Sequence, residues 1–224
     1  MSVLPTWQRV LVVVAHPDDE SFGLGGVIAA LVDSGADVRV LCLTAGEAST
    51  LGASEHLAQI RADELEAAAR ELGVHATVLR HHPDGALAAR LPQLVQDVAE
   101  QVRQARPDGL LVFCAAGGVT GHPDHEAATT AALTVAVRER IPVLGWGLPE
   151  RVTDVLNAEY SASFAGHDEK SLPLVVEVDR ERQRRAIAAH ASQAVPGSVL
   201  WRRLELLGSL EHLRLVTWRE EPDR

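Results

Sequence analysis

Two short stretches of the chain concentrate side chains that can bind a metal ion or move a proton. They read His16-Pro17-Asp18-Asp19-Glu20 and His122-Pro123-Asp124-His125-Glu126. Imidazole and carboxylate groups are the ligands that hard to borderline divalent metals take. One imidazole from each stretch and one carboxylate would make a three-ligand set with an open fourth position, as in a catalytic zinc site. Helix capping is the simpler interpretation, but a cap needs one such residue and the first stretch alone offers several.

Each of these stretches lies between an apolar run and a helix-like run. The apolar runs, residues 10–15 and 109–114, are continuous and rich in aliphatic side chains, as expected of strands buried on both faces of a parallel sheet. Polar residues that follow such strands lie at the carboxyl edge of an open α/β sheet, where ligand sites form. If the two strands are parallel, the two polar stretches lie at the same edge and can meet.

The alternation of strands and helices continues along the chain and predicts the fold class. Further strands are predicted at 37–43, 76–80 and 141–146, with helices at 24–34, 55–72 and 91–105. This pattern is typical of an α/β fold with a Rossmann-like, doubly wound, mostly parallel sheet and helices on both faces. Beyond residue 150 we predict only a strand at 174–179, a helix at 180–192 and a late strand at 212–219. We therefore expect a single domain over residues 1–224, with a core at about 8–150 and a C-terminal extension at about 151–224 packed on the same domain.

The composition argues against several classes of function. Hydrophobic residues make up 46% of the 224 residues, enough for a sizeable core, and the formal net charge of −10 predicts no basic surface for nucleic acid or for an anionic membrane. No segment reaches the ~20 apolar residues of a transmembrane helix, and the N-terminus has no signal-peptide pattern. Cys42 and Cys114 lie in or at the end of predicted strands, which favours small buried residues in a reducing cytoplasm over a disulfide.

The two polar stretches, in this order and each after a strand, resemble the LmbE/PIG-L family of zinc-dependent N-acetylglucosaminyl deacetylases, which includes the deacetylases and amidases of the mycothiol and bacillithiol pathways. Three further patterns support the resemblance: Arg61-x-x-Glu64 on a helix, Asp84-Gly85 after a strand, and His190-x-Ser192-Gln193 after a late helix. Together the matches cover roughly residues 10–195.

The resemblance implies a role for most of these positions. His16, Asp19 and His125 would hold one Zn²⁺ per chain, although another divalent metal such as Fe²⁺ would also suit the site. Asp18 would be the general base that acts on a metal-bound water. His122 would stabilise or protonate the tetrahedral intermediate.

Other side chains would act on the substrate or support these groups. Arg61 and Asp84 would bind the substrate, although Arg61 by composition alone is a solvated surface charge and Glu64 would simply hold it. Orienting roles behind the ligands are expected for Glu20, Asp124 and His190.

One position departs from the family pattern. Some relatives carry a Tyr two residues before the first His of the second stretch, where it assists at the oxyanion. This chain has Thr120 there, and its shorter hydroxyl is not expected to reach the substrate.

The expected function is therefore removal of an N-acyl group, most simply N-acetyl, from an amino sugar or a related small molecule. An amidase of thiol conjugates is the alternative within the family. From another class, the glycines at 23, 25 and 26 would suit a non-catalytic, Rossmann-type nucleotide- or metal-binding module. The sequence identifies neither the sugar nor the acyl group, and it leaves a homo-oligomer open.

Overall fold

The computed structural model describes residues 2–114 and 118–217. Its eight-stranded sheet is formed by β1 (Arg9–Val14), β2 (Asp37–Thr44), β3 (Ala76–His82), β4 (Gly109–Phe113), β5 (Val143–Pro149), β6 (Gly166–His167), β7 (Leu174–Glu177) and β8 (Leu210–Val216). The strand order is β3-β2-β1-β4-β5-β8-β7, and β6 pairs with β5 beside this path. The first five strands are parallel, whereas β8 runs antiparallel to both β5 and β7.

Eight helices connect these strands in the part of the chain that the structure describes. They are α1 (Asp19–Phe22), α2 (Gly25–Asp33), α3 (Leu57–Leu72), α4 (Leu91–Ala105), α5 (Pro123–Glu139), α6 (Glu150–Tyr160), α7 (Glu181–Ala189) and α8 (Val199–Leu207). Helix α3 ends at Gly73, whose left-handed φ of 78° gives the αL cap that the sequence predicts there. Within residues 2–114 and 118–217, no helix is long and apolar enough to cross a membrane.

The parallel strands form the core because their side chains are apolar on both faces. One apolar cluster lies between the sheet and α2, α3, α6 and α7, and a second lies between the sheet and α4 and α5. The predicted α/β sheet with helices on both faces is therefore confirmed. Cys42 and Cys114 are both buried and form no disulfide.

The strand order fixes the position of the site. Chain connections run from β1 outward to β2 and β3, then return to β4, which pairs directly with β1. The junction between β1 and β4 is therefore a topological switch point, where ligand sites of open α/β sheets form at the carboxyl ends of the strands. The two polar stretches follow these two strands.

The C-terminal part differs most from the sequence-based prediction. Helices α6 and α8 were not predicted, and β8 begins at Leu210 and ends at Val216, while the end of the predicted late strand lies outside the described residues. Strands β8 and β7 extend the same sheet beyond β5. Helix α8 packs against α6 and contributes Val199, Leu200 and Arg203 to the lining of the candidate site.

Candidate functional site

Three side chains place metal-binding atoms in one cluster at the switch point. His16 Nδ1 lies 3.2 Å from His125 Nε2, and His125 Nε2 lies 3.1 Å from Asp19 Oδ1. The remaining pair, His16 Nδ1 and Asp19 Oδ2, is 3.6 Å apart. All three residues are buried. Two imidazoles and one carboxylate that converge in this way fit the donor set of a divalent metal with room for a further ligand.

Hydrogen bonds behind His125 determine which ring nitrogen faces the cluster. His125 Nδ1 lies 3.0 Å from the Gly118 carbonyl oxygen and 2.8 Å from Thr120 Oγ1. The carbonyl can only accept, so Nδ1 carries the proton and Nε2 offers its lone pair to the cluster. Thr120 therefore contacts the candidate ligand His125, a contact that the sequence does not predict.

Two carboxylates lie close to the outer nitrogen of His16. Nε2 of this residue lies 3.0 Å from Asp84 Oδ1 and 3.5 Å from Asp124 Oδ2. Asp124 is itself fixed by the backbone amides of Gly85 and Leu87, at 2.7 and 3.0 Å. The charge of these carboxylates favours a proton on Nε2, and Nδ1 faces the cluster. Asp124 thus lies where it can orient His16, as expected. Asp84, which was expected to bind the substrate, also lies beside the His16 ring.

The electrostatics of the cluster favour a cation. Burial lowers the pKa of His16, but contacts with Asp124, Asp19 and Asp84 outweigh it and raise that pKa to about 12. Burial would raise the pKa of Asp19, but His125 and His16 hold it well below its usual value. The carboxylates therefore attract positive charge to this position, as protons on the imidazoles or as a divalent metal that displaces them.

Asp18 lies beside this cluster in a strained conformation. Its φ of 141° falls in a region that non-glycine residues rarely adopt, and such strain is concentrated at functional sites. The backbone amide of Asp18 donates to Glu20 Oε2 at 3.0 Å, and its Oδ2 accepts from Arg61 Nη2 at 2.8 Å. Burial raises the pKa of Asp18 to about 6, against the opposing effect of the Arg61 charge. A carboxylate with a pKa near neutrality can take up and release a proton at ordinary pH.

Arg61 is buried, so its interpretation as a solvated surface charge is wrong. Only 3% of this residue is exposed, and its guanidinium donates to the carbonyls of Gly46 and Pro17 as well as to Asp18. The expectation that Glu64 holds Arg61 is not met, because the Glu64 carboxylate accepts instead from Ser192 N and Oγ, both at 2.7 Å.

Two fully buried residues brace the segment that carries Asp18 and Asp19. His190 Nε2 lies 2.7 Å from Glu20 Oε1, which also accepts from Ser21 Oγ at 2.6 Å. The other oxygen of Glu20 accepts from the Asp18 amide. The structure thus places Glu20 and His190 behind the candidate base and ligands, within a single hydrogen-bonded chain.

His122 stands at the N-terminus of α5, where its ring faces the cluster. Its Nδ1 accepts from the Asp124 amide at 3.2 Å, and its ring lies edge-on to His16 with the centroids 4.8 Å apart. Burial and the nearby His16 and His125 lower the pKa of His122. A neutral ring with Nδ1 as acceptor carries its proton on Nε2, where it can donate.

One cavity of about 380 Å³, a size that suits a small-molecule ligand, lies against the cluster. It is lined by His16, Asp18, Asp19, Arg61, Asp84, Thr120, His122 and His125. One part of its wall is polar and includes Asp84, Ser49 and Gln193. Another part, called here the apolar wall, is largely apolar. It comes from β4, the loop before α5, β5, the segment after α6, and helix α8, with the members Phe113, Val119, Trp146, Phe164, Val199, Leu200 and Arg203. Sequence reasoning missed this apolar wall, because its residues lie in separate segments without a shared motif.

The glycines near α2 serve packing and do not form a phosphate cradle. A Cβ at Gly25 would lie 2.8 Å from Gln183 Cγ, and one at Gly26 would lie 3.0 Å from Glu211 Oε1. Both positions are occupied by side chains of the C-terminal part, so they offer no space to a pyrophosphate. This observation disfavours the nucleotide-binding alternative.

Known proteins resemble the chain in sequence. The profile of the PIG-L family, described as GlcNAc-PI de-N-acetylase, matches residues 11–136. A 1D-myo-inositol 2-acetamido-2-deoxy-alpha-D-glucopyranoside deacetylase of Rhodococcus erythropolis is 33% identical over 64% of this chain, and one of Kineococcus radiotolerans is 32% identical over 78%. These alignments span only 59% and 62% of the two relatives' own lengths.

Solved structures extend the likeness to the whole fold. The teicoplanin deacetylase Orf2, in its zinc-inhibited form, matches with a TM-score of 0.70 and 22% identity over 95% of this chain and 100% of its own. GalB, the 4-carboxy-2-hydroxymuconate hydratase of Pseudomonas putida KT2440, matches with a TM-score of 0.70 and 17% identity over 97% of this chain and 99% of its own. Because both a deacetylase and a hydratase share this fold, the fold alone does not decide the reaction.

Proposed function

The chain belongs to the PIG-L (GlcNAc-PI de-N-acetylase) family, and from this premise we propose that it is a metal-dependent hydrolase that removes an N-acyl group from an amino sugar or a related small molecule. The observation that carries the proposal is the convergence of His16 Nδ1, Asp19 Oδ1 and His125 Nε2 beside the Asp18 carboxylate, inside a cavity of ligand size.

In this proposal His16, Asp19 and His125 hold one divalent metal, for which zinc is our first choice because its donor preferences match two imidazoles and a carboxylate. When bound, such a metal would lower the pKa of a water and polarise the substrate carbonyl. The hydrogen bond from His125 Nδ1 to the Gly118 carbonyl and the proximity of His16 Nε2 to Asp84 support this assignment, because each leaves the inner nitrogen of its ring to bind the metal.

Asp18 is proposed as the general base. Its Oδ2 is held by Arg61, and its pKa of about 6 keeps it ionised at neutral pH yet able to accept a proton. The carboxylate takes a proton from the attacking water as the carbon–oxygen bond forms. The same proton then passes to the amide nitrogen as the carbon–nitrogen bond breaks, so the amine leaves neutral and the carboxylate is restored.

His122 is proposed to stabilise the negative charge that develops on the carbonyl oxygen. Because its Nδ1 accepts from the Asp124 amide, its Nε2 proton is available as a donor to that oxygen. Arg61 and Asp84 were predicted to bind the substrate. Their contacts favour a different emphasis, in which Arg61 positions Asp18 and Asp84 positions His16.

We also propose a class of substrate and a compartment. The polar wall with Asp84, Ser49 and Gln193 suits a hydroxyl-rich group, which supports an amino sugar. A cytoplasmic location is supported by two buried cysteines that form no disulfide.

The test is release of primary amine from a panel of N-acylated amino sugars by metal-loaded protein. We expect turnover that a chelator abolishes and added zinc restores. Asp18→Asn should retain the metal but lose about 10²–10⁴-fold in kcat, the usual contribution of a general base. Turnover that persists in metal-free protein, or an unchanged kcat in Asp18→Asn, would contradict the proposal.

A further inference from the structure

Arg203 is a buried cation in the apolar wall of the cavity. Only 6% of this residue is exposed. One of its terminal nitrogens donates to the Phe22 carbonyl, and its guanidinium carbon lies 5.4 Å from the centroid of the Trp146 ring. Its Nε is buried and has no hydrogen-bond partner within residues 2–114 and 118–217.

The charge of Arg203 lacks a carboxylate partner in the described part of the chain, where none lies within ion-pair distance. The nearest candidate, Glu211, is committed elsewhere: its Oε1 pairs with Arg180 at 2.5 Å, and its Oε2 accepts from Trp146 Nε1 at 2.6 Å. Burial lowers the pKa of Arg203 to about 10, although Glu211 works in the opposite direction. A buried cation without an anion is costly, so such groups are normally paired.

A series of ring contacts connects Arg203 to the candidate metal ligands. The ring of His125 lies 5.0 Å from that of Phe113, and Phe113 lies 5.5 Å from Trp146, on which Arg203 stacks. The carboxylates of Asp19 and Asp18 are close enough to influence the pKa of Arg203. The wall therefore runs from the reacting groups along an apolar surface to a single positive charge.

We propose that Arg203 determines substrate specificity by binding a carboxylate at the end of an apolar acyl chain, so that the preferred substrate is an amide of a dicarboxylic acid. The inference rests on the proposed function, because it places the scissile amide at the cluster of His16, Asp19 and His125. The polar wall then holds the amine part, and the apolar wall with Arg203 holds the acyl part. A guanidinium that already stacks on Trp146 is pre-oriented for such a carboxylate.

The first arm of the test compares substrates that differ only in the terminal group of the acyl chain. N-glutarylglucosamine and N-pentanoylglucosamine form one such pair. We expect wild-type kcat/KM to favour the charged substrate by about 10- to 100-fold, the range of a hydrogen-bonded ion pair. Arg203→Met should abolish this ratio, and Arg203→Lys should retain part of it. Arg202→Met is the matched control, because Arg202 lies on the same helix but pairs with Glu159 at the surface.

The second arm measures binding and does not depend on turnover. Dicarboxylates from succinate to pimelate are each compared by calorimetry with the monocarboxylate of the same chain length. We expect at least one dicarboxylate to bind about 10-fold more tightly, and this advantage to disappear in Arg203→Met but persist in Arg202→Met.

The outcomes separate this inference from the proposed function. If both substrates of a pair release amine equally and dicarboxylates bind no more tightly, the role of Arg203 is refuted while the hydrolase stands. If no substrate releases amine, the hydrolase fails, yet the binding arm still decides on Arg203. If Arg203→Met loses affinity for monocarboxylates and dicarboxylates alike, Arg203 has only a structural role, through its hydrogen bond from α8 to the Phe22 carbonyl. If that variant does not fold, Arg203→Lys and the wild-type ligand pairs decide.

Discussion

Replacement of Arg61 by Met should shift the pH profile of the reaction, because Arg61 lowers the pKa of the proposed base. The guanidinium lies 2.8 Å from Asp18 Oδ2 and opposes the effect of burial, which raises the pKa of Asp18 to about 6. An adjacent guanidinium typically lowers a carboxyl pKa by about 1–3 units. Its removal should therefore raise the pKa of Asp18 by about that amount.

The direction of the effect on activity follows from the protonation state. The base form of Asp18 exists above its pKa, so kcat/KM should fall as the pH decreases through that value. In Arg61→Met the acid limb of the profile should move to higher pH by at least about one unit. The variant also leaves the Gly46 and Pro17 carbonyls without their donor, at a cost of about 1–3 kcal/mol each in the free energy of unfolding.

The assay is kcat/KM for amine release between pH 5 and 9 on metal-loaded protein, with thermal unfolding to confirm that each variant is folded. Arg70→Met is the control, because Arg70 lies on the same helix and pairs with Glu66 at the surface. Arg61→Lys should show a smaller shift, since one ammonium cannot reproduce three hydrogen bonds. An acid limb that stays in place in a folded Arg61→Met variant would refute the link between Arg61 and the base.

Three further predictions concern other parts of the structure. Gly46→Ala should destabilise the protein more than Gly35→Ala. Both glycines have positive φ, but a Cβ at Gly46 would collide with the Arg61 guanidinium, whereas a Cβ at Gly35 would meet nothing within 4 Å. Thermal unfolding of both variants tests this, and equal losses of stability would contradict the collision. Thr120→Val should weaken metal affinity by about 10- to 100-fold, because Thr120 Oγ1 lies 2.8 Å from His125 Nδ1. Thr130→Val is the control, because Thr130 is exposed on α5, and it should leave the affinity unchanged. Unchanged affinity of Thr120→Val in a metal titration would show that the Gly118 carbonyl alone orients His125. Burial opposes ionisation of Asp108, but the amides of Arg9 and Gln8 and the Arg9 guanidinium hold its pKa below the usual value. The stabilising effect of ionised Asp108 should therefore be complete above about pH 4 and be lost as the pH falls through the lowered pKa. The difference in unfolding free energy between wild type and Asp108→Asn should shrink in acid, and a difference independent of pH would contradict this prediction.

The sequence predicts the parallel core and the two polar stretches because both depend on local patterns. A run such as residues 10–15, apolar at every position, fits a strand covered on both faces, and the polar residues after it must lie at the edge of the sheet. The direct pairing of β1 with β4 was not visible in the sequence, because it depends on the return of the chain from β3. This pairing is what brings His16 and His125 to within hydrogen-bonding distance.

The roles of Arg61 and Arg203 could not be predicted from the sequence, because the burial of a charged side chain depends on tertiary packing. Arg61 lies on a helix of mixed polarity and has the composition of a surface residue, yet it is buried against two carbonyls and Asp18. Arg203 follows a segment punctuated by proline and glycine, in which no helix was predicted. In both cases partners distant in sequence determine the environment of the guanidinium.

The most direct test of the proposed active site combines metal content and amine release in Asp18→Asn and Asp19→Asn. The two residues are adjacent, but Asp19 contacts His16 and His125, whereas Asp18 contacts Arg61. After dialysis against trace zinc, Asp18→Asn should retain about one zinc per chain and lose about 10²–10⁴-fold in kcat, whereas Asp19→Asn should lose both zinc and turnover. Full zinc occupancy in a folded Asp19→Asn variant, or wild-type turnover in Asp18→Asn, would contradict the assignment of ligand and base.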